Sequence, residues 1–351
     1  MSSTTRATRE DQTAARARRR NDPAWQQIRT ERALAAPFMG NFEFRIVGEL
    51  AWGVAGWALV GTAGVVGWLP YWLTVPLSAV FAALLYMPMH EATHRNIQGR
   101  HRNLGWLNDA VGHIASVPLL VGFSAHQLSH MKHHAFTNDD EKDPDLIYKG
   151  SFGSVALRVL FFFTVGILFI FALWIPGYGK RMLESSDPSV SPERATRDRE
   201  EFVADRGFQT LMLLVMICIA VAGYPIEVLM FWLIPARLGD VLVALIFAWL
   251  PHHPHNGRGR YTNTRAPLFP GSNLLARGHD RHIIHHMIPR VPHYRIGEVF
   301  DRLRPVLEER GTRIEGPGAG AGAPPVYLGS DETVIAEIAK QAAVADRQPF
   351  A

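Results

Sequence analysis

The chain has 351 residues, of which 48% are hydrophobic, and it carries a formal net charge of +4. Its apolar residues are gathered into long blocks rather than spread in an amphipathic pattern, which is typical of an integral membrane protein. A single cysteine, Cys218, excludes an internal disulfide and a four-cysteine iron–sulfur cluster, and the sequence has neither a glycine-rich dinucleotide fingerprint nor a haem attachment motif. Any electrons that the protein uses therefore come from a partner protein.

Residues 1–40 are predicted to form a basic, largely disordered arm. The first 35 residues are polar and contain eight arginines, which by the positive-inside rule keeps the N-terminus in the cytoplasm. Membrane contact already explains this charge, because juxtamembrane arginines bind anionic lipid, so we expect no nucleic-acid partner. The expected location is the cytoplasmic membrane of a bacterium.

Long apolar blocks then define a membrane domain over residues 41–311. The blocks cover residues 46–69, 71–89, 155–175 and 211–250, and the last is long enough to fold back on itself once. Residues 312–351 follow as a glycine- and proline-rich linker and a short tail. We predict an all-α integral membrane fold with four transmembrane helices, interfacial or re-entrant segments, and a cytosolic histidine-rich cap.

Eight of the sixteen histidines form three tight clusters. On a helix, positions i, i+3 and i+4 lie within an arc of roughly 100°, so each cluster points its imidazoles in one direction. A single transition-metal ion takes about four to six ligands, so eight aligned imidazoles indicate a two-metal site. The clustered residues, which we predict to be the metal ligands, are His90, His94, His130, His133, His134, His282, His285 and His286.

A shared site requires all three clusters on the same face of the membrane, so the number of crossings between successive clusters must be even. Between the second and third clusters lie three apolar stretches, at residues 155–175, 211–223 and 226–250. Three is odd, so one of them does not cross. The charged loop at 180–206 favours a cytoplasmic location, which makes 155–175 the interfacial or re-entrant candidate.

Several residues outside the clusters are candidates for a supporting role. His252, in the Pro-His-His-Pro-His motif where the last apolar block ends, is a candidate to complete a metal shell from a loop. His126 stands one turn before the second cluster and is a candidate ligand or a donor behind the ligands. Asp139 and Asp280 are candidates to orient a ligand imidazole through its second ring nitrogen, with helix capping as the alternative for Asp280. Four further histidines are interpreted as structural or interfacial: His101, His113, His279 and His293.

Two other classes of protein share part of this pattern. The segment from His90 to His94 fits the H-E-x-x-H motif of zinc proteases, with Glu91 as general base, but a zinc hydrolase needs only about one more ligand. A metal transporter would carry histidines along its spans, whereas nearly all of these lie at or beyond the span ends. Imidazole suits iron, zinc, copper and nickel alike, so the ligand type leaves the metal open. A redox metal pair beside the bilayer, supplied with a partner's electrons, favours O2-dependent oxidation of C–H bonds in a long apolar lipid.

The segments HEATH (90–94), HQLSHMKHH (126–134) and HIIHH (282–286) resemble the three histidine boxes of the membrane fatty acid desaturase superfamily. The similarity runs over residues from about 45 to about 310. The resemblance implies a di-iron, O2-dependent enzyme with four transmembrane helices and a cytosolic cap. It also implies that the eight clustered histidines bind two iron ions, with His252 as a further ligand.

Within the superfamily, residues 249–255 (WLPHHPH) and 282–294 are similar to the β-carotene ring hydroxylases of the desaturase-like type. Acyl-lipid desaturases share a version of the second segment. The resemblance therefore implies hydroxylation of a carotenoid β-ionone ring as the first expectation and fatty acid desaturation as the alternative. The expected partners are a lipid substrate from the bilayer and an external electron donor, either ferredoxin or a cytochrome b5-like protein.

Overall fold

The computed structural model describes residues 22–172 and 192–317. This part of the chain is mainly helical, which confirms the predicted fold class. The helices, in chain order, are α1 (Pro23–Ala35), α2 (Phe44–Val65), α3 (Tyr71–Thr93), α4 (Gly105–Ser116), α5 (Phe123–Phe136), α6 (Phe152–Ala172), α7 (Pro192–Val221), α8 (Pro225–His252), α9 (Ser272–Ala276), α10 (His282–Met287) and α11 (Ile296–Glu309). Two short strands, β1 (Arg265–Pro267) and β2 (Arg313–Glu315), pair in parallel.

Helices α2 and α3 form an apolar hairpin. Both are long enough to cross a bilayer, with 22 and 23 residues. The turn between them ends at Pro70, and it is flanked by Trp68 and Trp72, which are 81% and 76% exposed. Because tryptophan is enriched where membrane meets water, this turn marks the face of the membrane opposite the histidine clusters.

Helix α8 is the third long apolar helix, and it is not regular. Its 28 residues contain two π-helical segments, Leu229–Leu233 and Ala244–Trp249. Such segments occur frequently at functional sites, and the second one lies directly before the end of the helix at His252. Helix α8 packs against α3.

The predicted four crossings are only partly accounted for by the described residues. Among the described residues, helices α2, α3 and α8 are long and apolar enough to span a membrane, and the apolar stretch Arg206–Val221 of α7 is shorter. Met212 and Met216 of α7 lie in one hydrophobic cluster with Leu120 and with Ala236 of α8. A fourth crossing through α7 and an interfacial 155–175 segment stay predictions, and residues 173–175 lie outside the described range.

The cap that covers the histidine clusters has a hydrophobic core of its own. This core joins the 3₁₀ turn after α1, helix α10 and helix α11 through Phe38, Ile283, Ile284, Phe300 and Leu303. These side chains come from distant parts of the chain and are almost fully buried. The cap is therefore a packed unit on the ends of the membrane helices.

Two stretches predicted to lie outside the membrane domain belong to this cap. Residues 23–35, expected to be part of a disordered arm, form α1, whose buried Glu31 accepts hydrogen bonds from Arg260 and Tyr261. Residues 313–315, expected to be linker, form β2 beside β1. The ends of the folded unit are set by these long-range contacts, which local composition does not reveal. Residues 1–21 and 318–351 lie outside the described residues.

Candidate metal centre

The three histidine clusters meet where α3 and α8 end. His90 lies in the last turn of α3, and His252 is the last residue of α8. Helix α5 carries the second cluster and α10 carries the third. All three clusters therefore lie at the same end of the membrane-spanning helices, which is the arrangement that a shared site requires.

Four histidines, drawn from all three clusters, form a first group. The ring nitrogens that His90, His94, His130 and His285 offer lie within 4.8 Å of one another, and all four residues are buried. The Nε2 atom of His130 is 3.0 Å from that of His90 and 2.9 Å from that of His94. His130 is thus the common neighbour in this group.

Three further histidines form a second group. The ring nitrogens of His133, His252 and His286 also lie within 4.8 Å of one another. The Nε2 atoms of His133 and His252 are 3.3 Å apart. The structure therefore brings His252 to the site, from the end of α8 rather than from the loop that was expected.

His134 lies between the two groups. Its Nε2 atom is 3.0 Å from that of His130 and 2.9 Å from that of His285, and its ring stacks on His286 at a centroid distance of 4.3 Å. His282 joins from the other side, with its Nε2 atom 3.2 Å from that of His286. All nine predicted ligand histidines converge on one site, and metal binding by each of them stays a prediction.

Burial keeps these imidazoles neutral. Burial, with smaller contributions from His126 and Arg290, lowers the pKa of His94 to about 3. Burial and repulsion from neighbouring imidazoles hold the pKa well below its ordinary value in His130, His134, His282, His285 and His286. Neutral imidazole is the form that binds a metal ion, so the cluster is electrostatically prepared for metals.

In the second group, a buried carboxylate orients His133. Oδ1 of Asp143 lies 2.8 Å from Nδ1 of His133. When Nδ1 donates a hydrogen bond to Asp143, Nε2 carries no proton, and its lone pair faces the other two histidines of the second group. Burial alone would lower the pKa of His133, but the carboxylates of Asp145 and Asp143 outweigh it and raise that pKa.

The orienting carboxylate is thus Asp143 and not Asp139, which corrects the sequence interpretation. Oδ1 of Asp139 accepts hydrogen bonds from the backbone N–H groups of Glu141 and Lys142 and so closes the turn after α5. Asp143 precedes Pro144 and caps a short 3₁₀ helix. The Asp-Pro pair is a helix-start signal that could have identified Asp143 in this acidic run.

A threonine supports His286 in the same way. The hydroxyl of Thr137 donates to the carbonyl oxygen of His133 at 2.8 Å. Its oxygen is then free to accept from Nδ1 of His286, which lies 3.2 Å away. Two of the three rings in the second group are therefore held in the tautomer that presents Nε2.

Asp280 does not support a histidine. Its carboxylate accepts hydrogen bonds from Ser272 at 2.7 Å and Asn273 at 3.4 Å, and it pairs with Arg281 at 2.7 Å. It also caps neither the short 3₁₀ helix that contains it nor α10. Asp280 instead ties α9 to the start of the third cluster, which corrects both roles expected for it.

His126 lies against the site without joining either group. Its ring stacks on His130 at a centroid distance of 5.4 Å. Burial lowers its pKa to about 4, and its Nε2 atom is buried with no hydrogen-bond partner among the described residues. The prediction that it acts behind the ligands is left open by this position.

His279 belongs to the site, although the sequence interpretation set it aside. Its Nδ1 atom is 2.8 Å from Nδ1 of His282, and its ring centroid is 4.9 Å from that of His90. Gly278 delivers it with φ +88°, and a Cβ at that position would stand 2.1 Å from the carbonyl oxygen of His293, so only glycine fits. The three-residue spacing from His279 to His282 was the available signal.

Glu91, the acid of the H-E-x-x-H motif, lies on the Nδ1 side of His90 and forms a further group with His90 and His279, whose ligand atoms lie within 4.8 Å of one another. Its Oε2 accepts from Asn96 at 2.8 Å, and its Oε1 accepts from the backbone N–H of His293 at 3.2 Å. The side chain is fully buried, and Oε1 is 3.9 Å from Nδ1 of His90. Both carboxylate oxygens are thus engaged in holding the cap onto α3.

The donor set fits two transition-metal ions. The first group offers four buried imidazole nitrogens and the second offers three, with His134, His282 and His279 beside them. Neutral imidazoles present lone pairs toward the shared space, and hydrogen bonds at Nδ1 hold His133 and His286 in the tautomer that does so. A nitrogen-only set of this size suits a pair of transition-metal ions, and it is larger than the three or four ligands that a single zinc site uses.

The fold and the site define the class of protein. The family model for fatty acid desaturases matches residues 66–317, so the chain belongs to that family, a class of membrane non-haem di-iron oxidoreductases. The resemblance to the superfamily is thereby confirmed.

The chain is similar in sequence to several plant enzymes of this family. The chain is 26% identical over 262 residues to the chloroplastic omega-3 fatty acid desaturase of Brassica napus, covering 68% of this chain and 63% of the relative. It is 25% identical over 268 residues to a temperature-sensitive sn-2 acyl-lipid omega-3 desaturase (ferredoxin) of Arabidopsis thaliana, covering 70% and 60%. A Delta(9) fatty acid conjugase-like enzyme of Dimorphotheca sinuata is 26% identical over 270 residues, covering 68% and 69%. The chain spans only about three fifths of the length of the two desaturases.

Proposed function

We propose that this protein is an O2-dependent di-iron enzyme that desaturates an aliphatic chain of a membrane lipid. The observation that carries the proposal is the convergence of the three histidine clusters on one buried site at the ends of α3 and α8. The named relatives support the reaction class, because they are desaturases and a conjugase-like enzyme.

His90, His94, His130 and His285 would hold one iron ion, and His133, His252 and His286 would hold the other. When bound, an iron pair supplies the redox chemistry with which O2 oxidises an unactivated C–H bond. In the balanced reaction, a CH2–CH2 unit, O2, two electrons and two protons give CH=CH and two waters. The protein's own part is to hold the rings, to exclude bulk water by burial, and to place one carbon beside the site.

The electrons come from a separate protein, for which we propose a ferredoxin-like donor. The Arabidopsis relatives are named as ferredoxin enzymes. No comparison supports the cytochrome b5-like donor that was the other expectation. A donor would reach the site from the cap side, since the opposite side is occupied by the membrane helices.

The chain is an integral membrane protein, as its apolar helices and its family indicate. We propose that the cap and the metal centre face the cytoplasm of a bacterium. The arginine-rich residues 1–35 support this orientation. The chloroplastic location printed for the relatives is a property of those proteins.

Carotenoid ring hydroxylation, the first expectation from the sequence, takes second place. The named relatives act on fatty acids by name, and none of them supports a carotenoid substrate. The similarity at residues 249–255 is its remaining support. A zinc protease is not supported either, because both carboxylate oxygens of the expected general base Glu91 accept hydrogen bonds from the protein.

The product analysis that tests this proposal uses the full-length chain, purified and reconstituted in lipid nanodiscs. Ferredoxin, ferredoxin reductase, NADPH and O2 are added, and the acyl chains and added β-carotene are analysed by mass spectrometry. We expect acyl products that have lost two hydrogens, and no such product without O2 or with the His130→Ala variant. Hydroxylated carotenoid beside unchanged acyl chains would contradict desaturation and favour the hydroxylase.

A further inference from the structure

A cavity of about 100 Å³ lies directly against His130 of the metal centre. This volume is several times what one water molecule needs. Its lining comes mainly from α3, α5 and α8, and it includes the rings of Tyr86 and Phe247, which contact each other at a centroid distance of 5.0 Å. It is the space beside the metal centre in which part of a bound lipid would lie.

One wall of the cavity is apolar. Met89, Leu119, Val243 and Phe247 line it, and Ala244 widens it where the second π-helical segment of α8 begins. These side chains suit the methylene groups of an aliphatic chain. They do not distinguish one lipid from another.

The rest of the lining is polar, which a plain hydrocarbon chain would not require. Asp145 and Tyr148 come from the 3₁₀ helix after α5, Asp240 comes from α8, and His126 comes from α5. The Nε2 atom of His126 is buried without a hydrogen-bond partner among the described residues. Oδ2 of Asp240 lies 3.2 Å from Arg237 as an ion pair but receives no hydrogen bond of good geometry.

Buried polar groups destabilise a protein unless a partner satisfies them, and acidic residues within membrane-spanning helices usually mark a functional site. Ionised carboxylates of Asp145 and Asp240 repel an anion such as a fatty acid carboxylate. A hydroxyl group, in contrast, can donate to Asp240 or Asp145 and accept from the phenol of Tyr148. The chemistry of the wall thus selects a neutral hydrogen-bond donor that is also an acceptor.

We propose that this cavity binds a hydroxyl group on the substrate, so that the lipid oxidised at the metal centre is a hydroxylated aliphatic chain. This inference rests on the proposed function, since it assigns the substrate class of the same site. Because the cavity is short and touches His130, the hydroxyl lies within a few carbon atoms of the carbon that is oxidised.

The test measures binding rather than turnover, with the full-length chain in nanodiscs and empty nanodiscs as the reference. The probes are radiolabelled 1-dodecanol, 1-methoxydodecane, which accepts but cannot donate a hydrogen bond, and dodecanoate. We expect the alcohol to bind roughly tenfold more tightly than the ether, as one or two buried hydrogen bonds would give, and dodecanoate to bind no better than the ether. Tyr148→Phe and Asp240→Asn should each weaken alcohol binding by about tenfold and change ether binding by less than about twofold.

Matched controls carry the same chemical changes far from the cavity. Tyr224→Phe and Asp301→Asn alter exposed side chains and should leave the preference for the alcohol intact. If Asp240→Asn does not fold because Arg237 loses its partner, Tyr148→Phe alone decides the question.

Equal binding of the alcohol and the ether by the unmodified chain would overturn the proposal. Binding of dodecanoate that is tighter than binding of the ether would also overturn it. The same holds for a preference for the alcohol that is unchanged in Tyr148→Phe. A protein that prefers the alcohol but oxidises no C–H bond would contradict only the proposed function. A protein that desaturates lipids but binds the three probes equally would contradict only the hydroxyl site.

Discussion

The two histidine groups differ in what holds their rings from behind. In the second group, Asp143 and Thr137 lie within hydrogen-bond distance of the Nδ1 atoms of His133 and His286. In the first group, Nδ1 of His90 and of His285 has no hydrogen-bond partner among the described residues. Two rings of the second group are thus oriented by hydrogen bonds and charge, whereas Nδ1 of the third ring, His252, has no hydrogen-bond partner among the described residues. The difference between the two groups teaches that two metal positions on one scaffold need not bind equally tightly.

The largest effect should come from removing His130, because it touches the most neighbours. Its Nε2 atom lies within 3.0 Å of those of His90, His94 and His134. We expect His130→Ala to lose both activity and most of the bound metal, with binding weakened by more than the 10–100-fold typical of a residue behind a ligand. Metal analysis of the purified variant, after size-exclusion chromatography shows that it is folded, checks this. Retention of the full metal content would show that His130 is not a ligand.

Removing His252 should affect the second group alone. This histidine contributes its Nε2 atom beside that of His133 and has no ring contact with His90 or His94 in the described structure. We expect His252→Ala to lower bound iron from about two ions per chain toward about one. His94→Ala is the matched change in the first group. It should release the ion of the first group, while the ion of the second group stays bound. If both variants retain the same ion, as judged by Mössbauer spectroscopy, the two groups are not separate metal positions.

A smaller effect is expected from the carboxylate behind the second group. Asp143→Asn keeps the shape but loses the charge that fixes the tautomer of His133. We expect metal affinity at the second position to fall by about 10–100-fold, as measured by competition with a chelator, with the first position little changed. Asp139→Asn is the control, because that side chain bonds only to nearby backbone and to Arg258. An equal loss of metal affinity in both variants would mean that negative charge near the site matters, and that the contact between Asp143 and His133 does not.

The smallest effect should follow from His279, which lies beside the first group without entering it. We expect His279→Gln to shift the Mössbauer or electronic spectrum of the first metal and to lower its affinity by up to about tenfold. The matched variant His113→Gln changes a histidine that contacts Phe123 instead. Loss of a whole metal ion in His279→Gln would make His279 a ligand in its own right.

The sequence could predict the centre because helical spacing aligns each cluster and because a shared site constrains the crossings. All nine proposed ligands, including His252, lie together in one site, and metal binding by them stays a prediction. His279 was missed because it stands on a 3₁₀ turn after a glycine rather than on the helix of its cluster. Asp139 was chosen over Asp143 because an acidic run gives no indication of which carboxylate turns inward.

Other features depended on contacts that local composition does not show. Helix α1 looks like a polar arm, yet its Glu31 is buried against Arg260 and Tyr261, more than two hundred residues away. The polar wall of the cavity was equally hidden, because Asp240 lies in an apolar block and Asp145 in a solvated-looking loop. Burial decides the role of such residues, and burial is set by the whole fold.

The most direct test of a di-iron centre is the metal content of the purified full-length chain, measured together with its Mössbauer spectrum after growth on ⁵⁷Fe. The convergence of imidazoles in two groups predicts about two iron ions per chain with two distinguishable environments. A single zinc ion per chain, or iron in one environment that survives the loss of either group, would contradict it.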